Sequence, residues 1–93
     1  MALHRRPAEC AWSKQISMDL SAPLTADPVD LEGAYLAAFS VLELSGEASA
    51  TLDGGNALEL EEGETRAGFD ADTLTITSPG NGGTLVLELH GRF

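Results

Sequence analysis

An all-β domain, a compact antiparallel β-sandwich of jelly-roll type with seven or eight short strands, is the fold class this sequence predicts. Three observations carry it. Apolar residues recur at every second position in segment after segment between Trp12 and His90, which is the period of a half-buried strand. Gly, Asn, Asp and Pro interrupt these segments roughly every six to twelve residues, the spacing of a sandwich or small barrel. No helical pattern alternates with them, which excludes a parallel α/β sheet.

Residues 1–10 read as a flexible N-terminal arm and 11–93 as a single domain. Trp12, Ile16, Met18 and Leu20 share one face, interrupted by Lys14, while Ser13, Gln15, Ser17 and Asp19 share the other. A helix would not place polar residues at every second position. Pro23 and Pro28 exclude a helix interior and a central strand. Residues 21–30 therefore read as a connection across one end of the sandwich, with Val29 and Leu31 adding a short strand before Gly33. Tyr35–Leu44 is the most apolar run. Its Ala and Leu content suits a helix, but Phe39 and Val41 at its centre favour a strand. A strand apolar on both faces is one covered on both, by the opposite sheet and by a neighbouring subunit.

After Gly46 the pattern becomes regular. Ala48, Ala50 and Leu52 alternate with Ser49 and Thr51, and Asp53-Gly54-Gly55-Asn56 makes a tight turn. Leu58 and Leu60 precede a second turn at Glu61–Glu64. Thr65–Phe69 is a short strand, and Asp70-Ala71-Asp72 turns again. Leu74 and Ile76 alternate with Thr73, Thr75 and Thr77, a β-branched outer face. Ser78–Gly83 reads as a flexible hairpin loop. Leu85, Leu87 and Leu89 then face in, against Thr84, Val86, Glu88 and His90.

A chain of 93 residues buries only about 60–65 % of its unfolded surface, so it gains from oligomerising. Five basic residues face fifteen acidic ones; from Gln15 onward two basic residues stand against fourteen acidic ones, a net of −12. Such a surface repels nucleic acid and anionic membrane. The arm His4-Arg5-Arg6 can meet a phosphate or an acidic partner. High acid with a single lysine is also the composition of a protein living in high salt, a halophilic source. The single cysteine, Cys10, gives neither a disulfide nor a metal pattern. No apolar run approaches the ~20 residues of a membrane span, and Met1–Pro7 is not followed by the apolar stretch of a signal peptide.

No catalytic, cofactor-binding or metal set emerges, and the chain is not expected to be an enzyme. His4 and His90 lie near opposite termini, Cys10 has no base partner, and no Gly-x-Ser-x-Gly occurs. Glu59, Glu61, Glu62 and Glu64 surround a turn and read as solvated. Asp70 and Asp72 with Glu62 or Glu64 have the atoms of an oxygen cage for Ca²⁺, and Asp53–Asn56 is a second such loop. Neither matches an EF-hand, and ordinary turn chemistry explains both. Gly54-Gly55 and Gly80, Gly82 and Gly83 open no helix and cradle no phosphate. Few aromatics are available to stack on a sugar. A cupin-type enzyme needs several histidines, where only His90 is at hand.

The order of elements resembles small β-sandwich virion structural proteins of tailed viruses. The matching pieces are Phe39-Ser40-Val41-Leu42, Ala50-Thr51-Leu52-Asp53-Gly54, Leu58 to Gly63, Phe69-Asp70, Leu74 to Ser78, and Gly83 to Gly91. They span about residues 33–93 as a pattern of turns and alternation; the N-terminal third carries no match. The resemblance implies a component of the virion that decorates the capsid or lies at the neck or tail. It implies a homo-oligomer, a trimer by preference, held on other virion proteins such as the major capsid protein. The basic arm would then be the anchoring segment. The alternative is a stand-alone binding module for a carbohydrate or a Ca²⁺ ion.

Overall fold

The computed structural model describes residues 11–93. The arm expected at 1–10, with His4, Arg5, Arg6 and Cys10, lies outside the described residues. Eight strands follow in order: β1 Ala11–Asp19, β2 Leu24–Pro28, β3 Tyr35–Leu44, β4 Ser49–Leu52, β5 Ala57–Glu59, β6 Thr65–Ala71, β7 Leu74–Ser78 and β8 Thr84–Arg92. No helix occurs among the described residues. The strands form two antiparallel four-stranded sheets: β1-β8-β3-β6, the first sheet, and β2-β7-β4-β5, the second.

One apolar core, drawn from both sheets, makes the arrangement sandwich-like. The first sheet contributes Trp12, Leu36, Phe39, Val41, Leu85, Leu87 and Leu89; the second contributes Ala50, Leu74 and Ile76. Period-two alternation puts these residues inward and their neighbours outward. Phe39 and Phe69 pack with ring centroids 5.9 Å apart at 47°, a tilted pair. The parity of β3 changes at two irregularities in its pairing with β8, between Leu36 and Ala38 and between Val41 and Glu43. The first lets Leu36 and Phe39 both point inward, and the second does the same for Val41 and Leu44.

Three expectations need correction. The connection at 21–30 contains a strand, β2, and Val29–Leu31 is not one. The prolines put β2 where the rules allow it, at a sheet edge. It is irregular there: its register slips between Leu24 and Asp27, Ala26 has φ 49°, and the Ala26 amide donates to Thr77 Oγ1 at 3.0 Å. Second, β6 runs on through Asp70 and Ala71, so the turn to β7 is shorter than expected. Third, Ser78–Gly83 is not a hairpin, because β7 and β8 belong to different sheets. Only β4 and β5 form a consecutive pair within one sheet, across the Asp53–Asn56 turn.

Nor does the glycine segment after β7 stand alone. Leu20 N donates to Gly83 O (2.8 Å), Gly82 N to Leu20 O (3.2 Å), Gly83 N to Ser45 O (2.7 Å) and Ser45 N to Thr84 O (3.0 Å). A Cβ on Gly82 would collide with the Ser45 carbonyl, and one on Gly80 with Pro23. The glycines are needed for close approach, and this end of the sandwich is stitched by backbone.

Candidate functional site

At the opposite end, the β2–β3 segment turns from one sheet to the other and is tied back to β1. Trp12 Nε1 donates to Glu32 Oε1 at 3.0 Å, and Lys14 Nζ lies 3.1 Å from both Glu32 Oε2 and the Asp30 carbonyl oxygen. The Glu32 amide donates to Asp30 Oδ1 at 2.8 Å, which supports Glu32 in the left-handed region at φ 58°. The bond from Trp12, and then Lys14, hold the Glu32 carboxyl below the usual range. Lys14 thus interrupts the apolar face of β1 in order to close this side of the sandwich. The sequence showed Lys14 as an interruption of the apolar face and no more. It did not say which of fourteen acids would pair with it.

Beside this latch lies a groove of about 690 Å³, lined by Pro28, Val29, Leu31, Tyr35, Asp72 and Thr75 among others. Its floor is mostly apolar, and Tyr35 stands at its rim half exposed. Asp53, at φ 52°, holds the neighbouring turns together. Its Oδ1 accepts from the Asp72 amide (2.8 Å), the Thr73 amide (3.0 Å) and the Thr73 hydroxyl (3.4 Å).

The carboxylates that sequence grouped as a possible Ca²⁺ cage are not brought together. Glu62 and Glu64 precede β6 and Asp70 and Asp72 follow or end it, and a seven-residue strand spans about 20 Å. Three of the four carboxylates have local work instead. Glu62 Oε1 accepts from the Leu44 amide at 3.0 Å, Glu64 Oε1 from the Glu61 amide at 2.8 Å, and Glu64 Oε2 lies 3.1 Å from Arg66 Nε. Asp70 pairs with Arg92 at 3.4 Å. Among the described residues no group of three or more His, Cys, Asp or Glu is placed to hold a metal ion.

The outer face of the first sheet is the other notable surface. Its central rows, read across β1, β8, β3 and β6, are Ser13–His90–Ala38–Ala67 and Gln15–Glu88–Ser40–Thr65, followed by Ser17–Val86–Glu43. The interior of this face holds the carboxylate of Glu88, with His90 Nε2 3.2 Å from its Oε1. The Ser40 and Thr65 hydroxyls bond to each other at 2.9 Å. Tyr35 and Leu42, the outward apolar residues of β3, are exposed. The inner side of β3 is covered by the second sheet, and its outer side lies on the surface of the single chain.

No family model matches this chain, and neither a curated protein nor a solved structure matches it.

Proposed function

We propose that this chain is a non-enzymatic structural component of a tailed-virus particle, decorating the capsid or lying at the neck or tail through oligomeric contacts with copies of itself and with proteins such as the major capsid protein. The observation that carries the reading is an open sheet face with little charge on a strongly acidic body. The described residues hold fourteen acidic and three basic side chains, a net of −11, yet the rows from Ser13 to Thr65 contain a single carboxylate, Glu88, beside His90. A face that carries few carboxylates is one that can be covered by another protein. The strand order, β1-β8-β3-β6 over β2-β7-β4-β5, supports a finer reading of the fold as a jelly roll. That double Greek key is used by viral capsid domains and also by lectins and cupins. Its interior, filled by Phe39, Val41, Ile76 and leucines, favours packing over a cupin-like metal centre.

A second reading, a carbohydrate-binding module, draws on one observation: the groove with Tyr35 at its rim and Asp72 and Thr75 in its wall. Light scattering on the purified chain separates the two. The structural reading expects a defined oligomer whose melting temperature is unmoved by sugars or Ca²⁺. A monomer that gains several degrees with a glycan or with Ca²⁺ would replace it by the binding-module reading.

A further inference from the structure

The outermost strands of a sheet carry unpaired backbone N–H and C=O groups, and proteins blunt such edges with bulges, prolines, charges or short strands. Among the described residues the edges of the two sheets are β1, β6, β2 and β5. Three of them are blunted. β5 is three residues long. β2 ends in Pro28, slips in register between Leu24 and Asp27, and holds Ala26 at φ 49°. β6 bulges where its step from Ala67 to Ala71 stands against the shorter step from Ala38 to Leu36 of β3, and it holds Gly68 at φ 89°.

β1 has none of these devices. Its nine residues pair with β8 without a shift, from Ala11–Arg92 to Asp19–Thr84, and include neither proline nor glycine. Next to it, the Leu20 amide donates to the Gly83 carbonyl and the Gly82 amide to the Leu20 carbonyl, while the Thr84 carbonyl accepts from the Ser45 amide on the β3 side. Carried along an antiparallel ladder, this alternation turns the backbone of Trp12, Lys14, Ile16 and Met18 toward β8 and that of Ser13, Gln15 and Ser17 toward the open edge. Ile16 and Met18 pack on the core yet stay only partly buried, with no further strand beside them.

We infer that β1 is where a second copy of this chain adds on, the two β1 strands pairing antiparallel about a twofold axis at Gln15, so that the two first sheets join into one of eight strands. This supplies the self-contact of the particle reading and rests on it. A nine-residue strand meets its own copy over its full length only by turning about its middle residue. That register sets Ser13 against Ser17 of the copy, Gln15 against Gln15 and Ala11 against Asp19. Edge-facing residues then oppose edge-facing residues, as a hydrogen-bonded ladder requires. On the inner side Met18 comes against Trp12 of the copy and Ile16 against the stem of Lys14, which covers the partly buried side chains.

The register also suits so acidic a chain. The charged side chains of β1 are Lys14 and Asp19. Asp19, on the outer side, meets Ala11. The two Lys14 side chains lie on a diagonal, each with its own Glu32 at 3.1 Å. Glu32 and Asp30 are held level with Trp12 and Lys14, so those of the two copies stand about four residues, or roughly 13 Å, apart along the strands. The two Glu88 carboxylates, each one strand in from Gln15, stand three strand spacings, or roughly 14 Å, apart. Both separations exceed the Debye length of about 8 Å at physiological salt. An isologous contact of this kind pairs copies, so it departs from the trimer that the sequence resemblance implied. It leaves the outer face of the first sheet, doubled in width, for another particle protein.

Sedimentation equilibrium of the full chain from micromolar to millimolar concentration, with amide hydrogen exchange at both extremes, tests this. The expected result is a monomer–dimer equilibrium in which the Ser13, Gln15 and Ser17 amides gain protection as the dimer forms. Gln15→Lys and Gln15→Glu each oppose like charges at the axis and should weaken the dimer at least about fivefold, whereas an equimolar mixture of the two should associate at least as tightly as the parent. Ala57→Lys, on β5, should change it less than about threefold. Gln15 and Ala57 are exposed, and circular dichroism checks that each variant keeps the parental β spectrum. A dimer or larger oligomer that is indifferent to both Gln15 variants, or that leaves the three amides unprotected, overturns the β1 contact and leaves the particle reading standing. A trimer overturns the twofold axis. Protection of the three amides in a monomer means that the chain covers this edge itself, and overturns the contact. A chain that stays monomeric to millimolar concentration with the edge unprotected overturns the contact and the particle reading together.

Discussion

Phe39 is fully buried at the middle of β3 and is the largest such side chain. It faces Leu89 of β8 in register on one side and neighbours β6 on the other, where its ring lies 5.9 Å from that of Phe69. Phe39→Ala removes the one large side chain that bridges the centre of the first sheet to the β6 edge. A buried Phe→Ala change costs about 3–5 kcal/mol, because the lost transfer energy is joined by a cavity that neighbours only partly fill. A chain of 93 residues has in total roughly 5–14 kcal/mol of stability to lose. The variant therefore forfeits between about a fifth and all of it, and at about 4–8 °C per kcal/mol its melting temperature falls by roughly 12–40 °C. Phe69, at the edge and half-buried, is expected to cost about half as much on truncation. The double variant should show a coupling of about 0.5–1.5 kcal/mol for the tilted pair. Urea unfolding followed by the fluorescence of the single tryptophan, Trp12, gives all four free energies. If Phe39→Ala costs no more than Phe69→Ala, or the coupling vanishes, the core is not centred where the packing places it.

The remaining predictions concern the two ends of the sandwich and the surface. The Glu32 carboxyl is held low by Trp12 and then Lys14, so its contribution is complete above the ordinary carboxylate range and is lost as pH falls through the lower folded value; Glu32→Gln should remove that part of the acid limb in thermal melts, with Trp12 emission responding first. Asp53→Ala should cost about 2 kcal/mol and deprotect the Asp72 and Thr73 amides in hydrogen exchange, while Asp53→Asn, which keeps an oxygen and tolerates positive φ, should cost less. A Cβ on Gly91 would collide with the Tyr35 carbonyl and lie 3.3 Å from Leu36 Cα, whereas one on Gly63 (φ 88°) meets nothing within 4 Å; Gly63→Ala should cost about 1 kcal/mol and Gly91→Ala at least about twice that, and equal melting temperatures would refute the close approach of β3 and β8. With a net charge of −10, the melting temperature should climb as salt rises from about 10 mM to about 1 M and the Debye length falls from about 30 Å to about 3 Å; a flat response would end the high-salt reading of the composition.

Much of the fold was legible because strand alternation is a local signal. Leu85, Leu87 and Leu89 are all fully buried, as are Ala50 and Ile76, and each was placed by its parity alone. The direction of a connection is not local. A Gly-rich segment after a strand looks the same whether the next strand returns beside it or crosses to the other sheet, so Ser78–Gly83 read as a hairpin. Its true constraint is contact with Ser45 and Pro23, residues more than thirty positions away. Prolines hid β2 for a related reason. They forbid a central strand but are silent about an edge, and edge pairing is decided by β7, which the segment itself does not encode.

Charge behaved in the opposite way, legible in total and illegible in place. Fifteen acids in one chain announce repulsion, but proximity along the sequence misled about which would act together. Glu62, Glu64, Asp70 and Asp72 fall within eleven positions, and β6 then carries them to opposite ends. Glu32 lies twenty positions from Trp12, yet the two share a hydrogen bond. The same logic applies to the outer face of the first sheet. Strands β1, β8, β3 and β6 are far apart in sequence, and none is unusual for its lack of acid when read alone. Only their order side by side gathers Ser13, Gln15, Ala38, Ser40, Thr65, Ala67 and Val86 into one face, with Glu88 and His90 among them. Sheet order, rather than composition, therefore decides how the charge of so acidic a chain is spread over its faces.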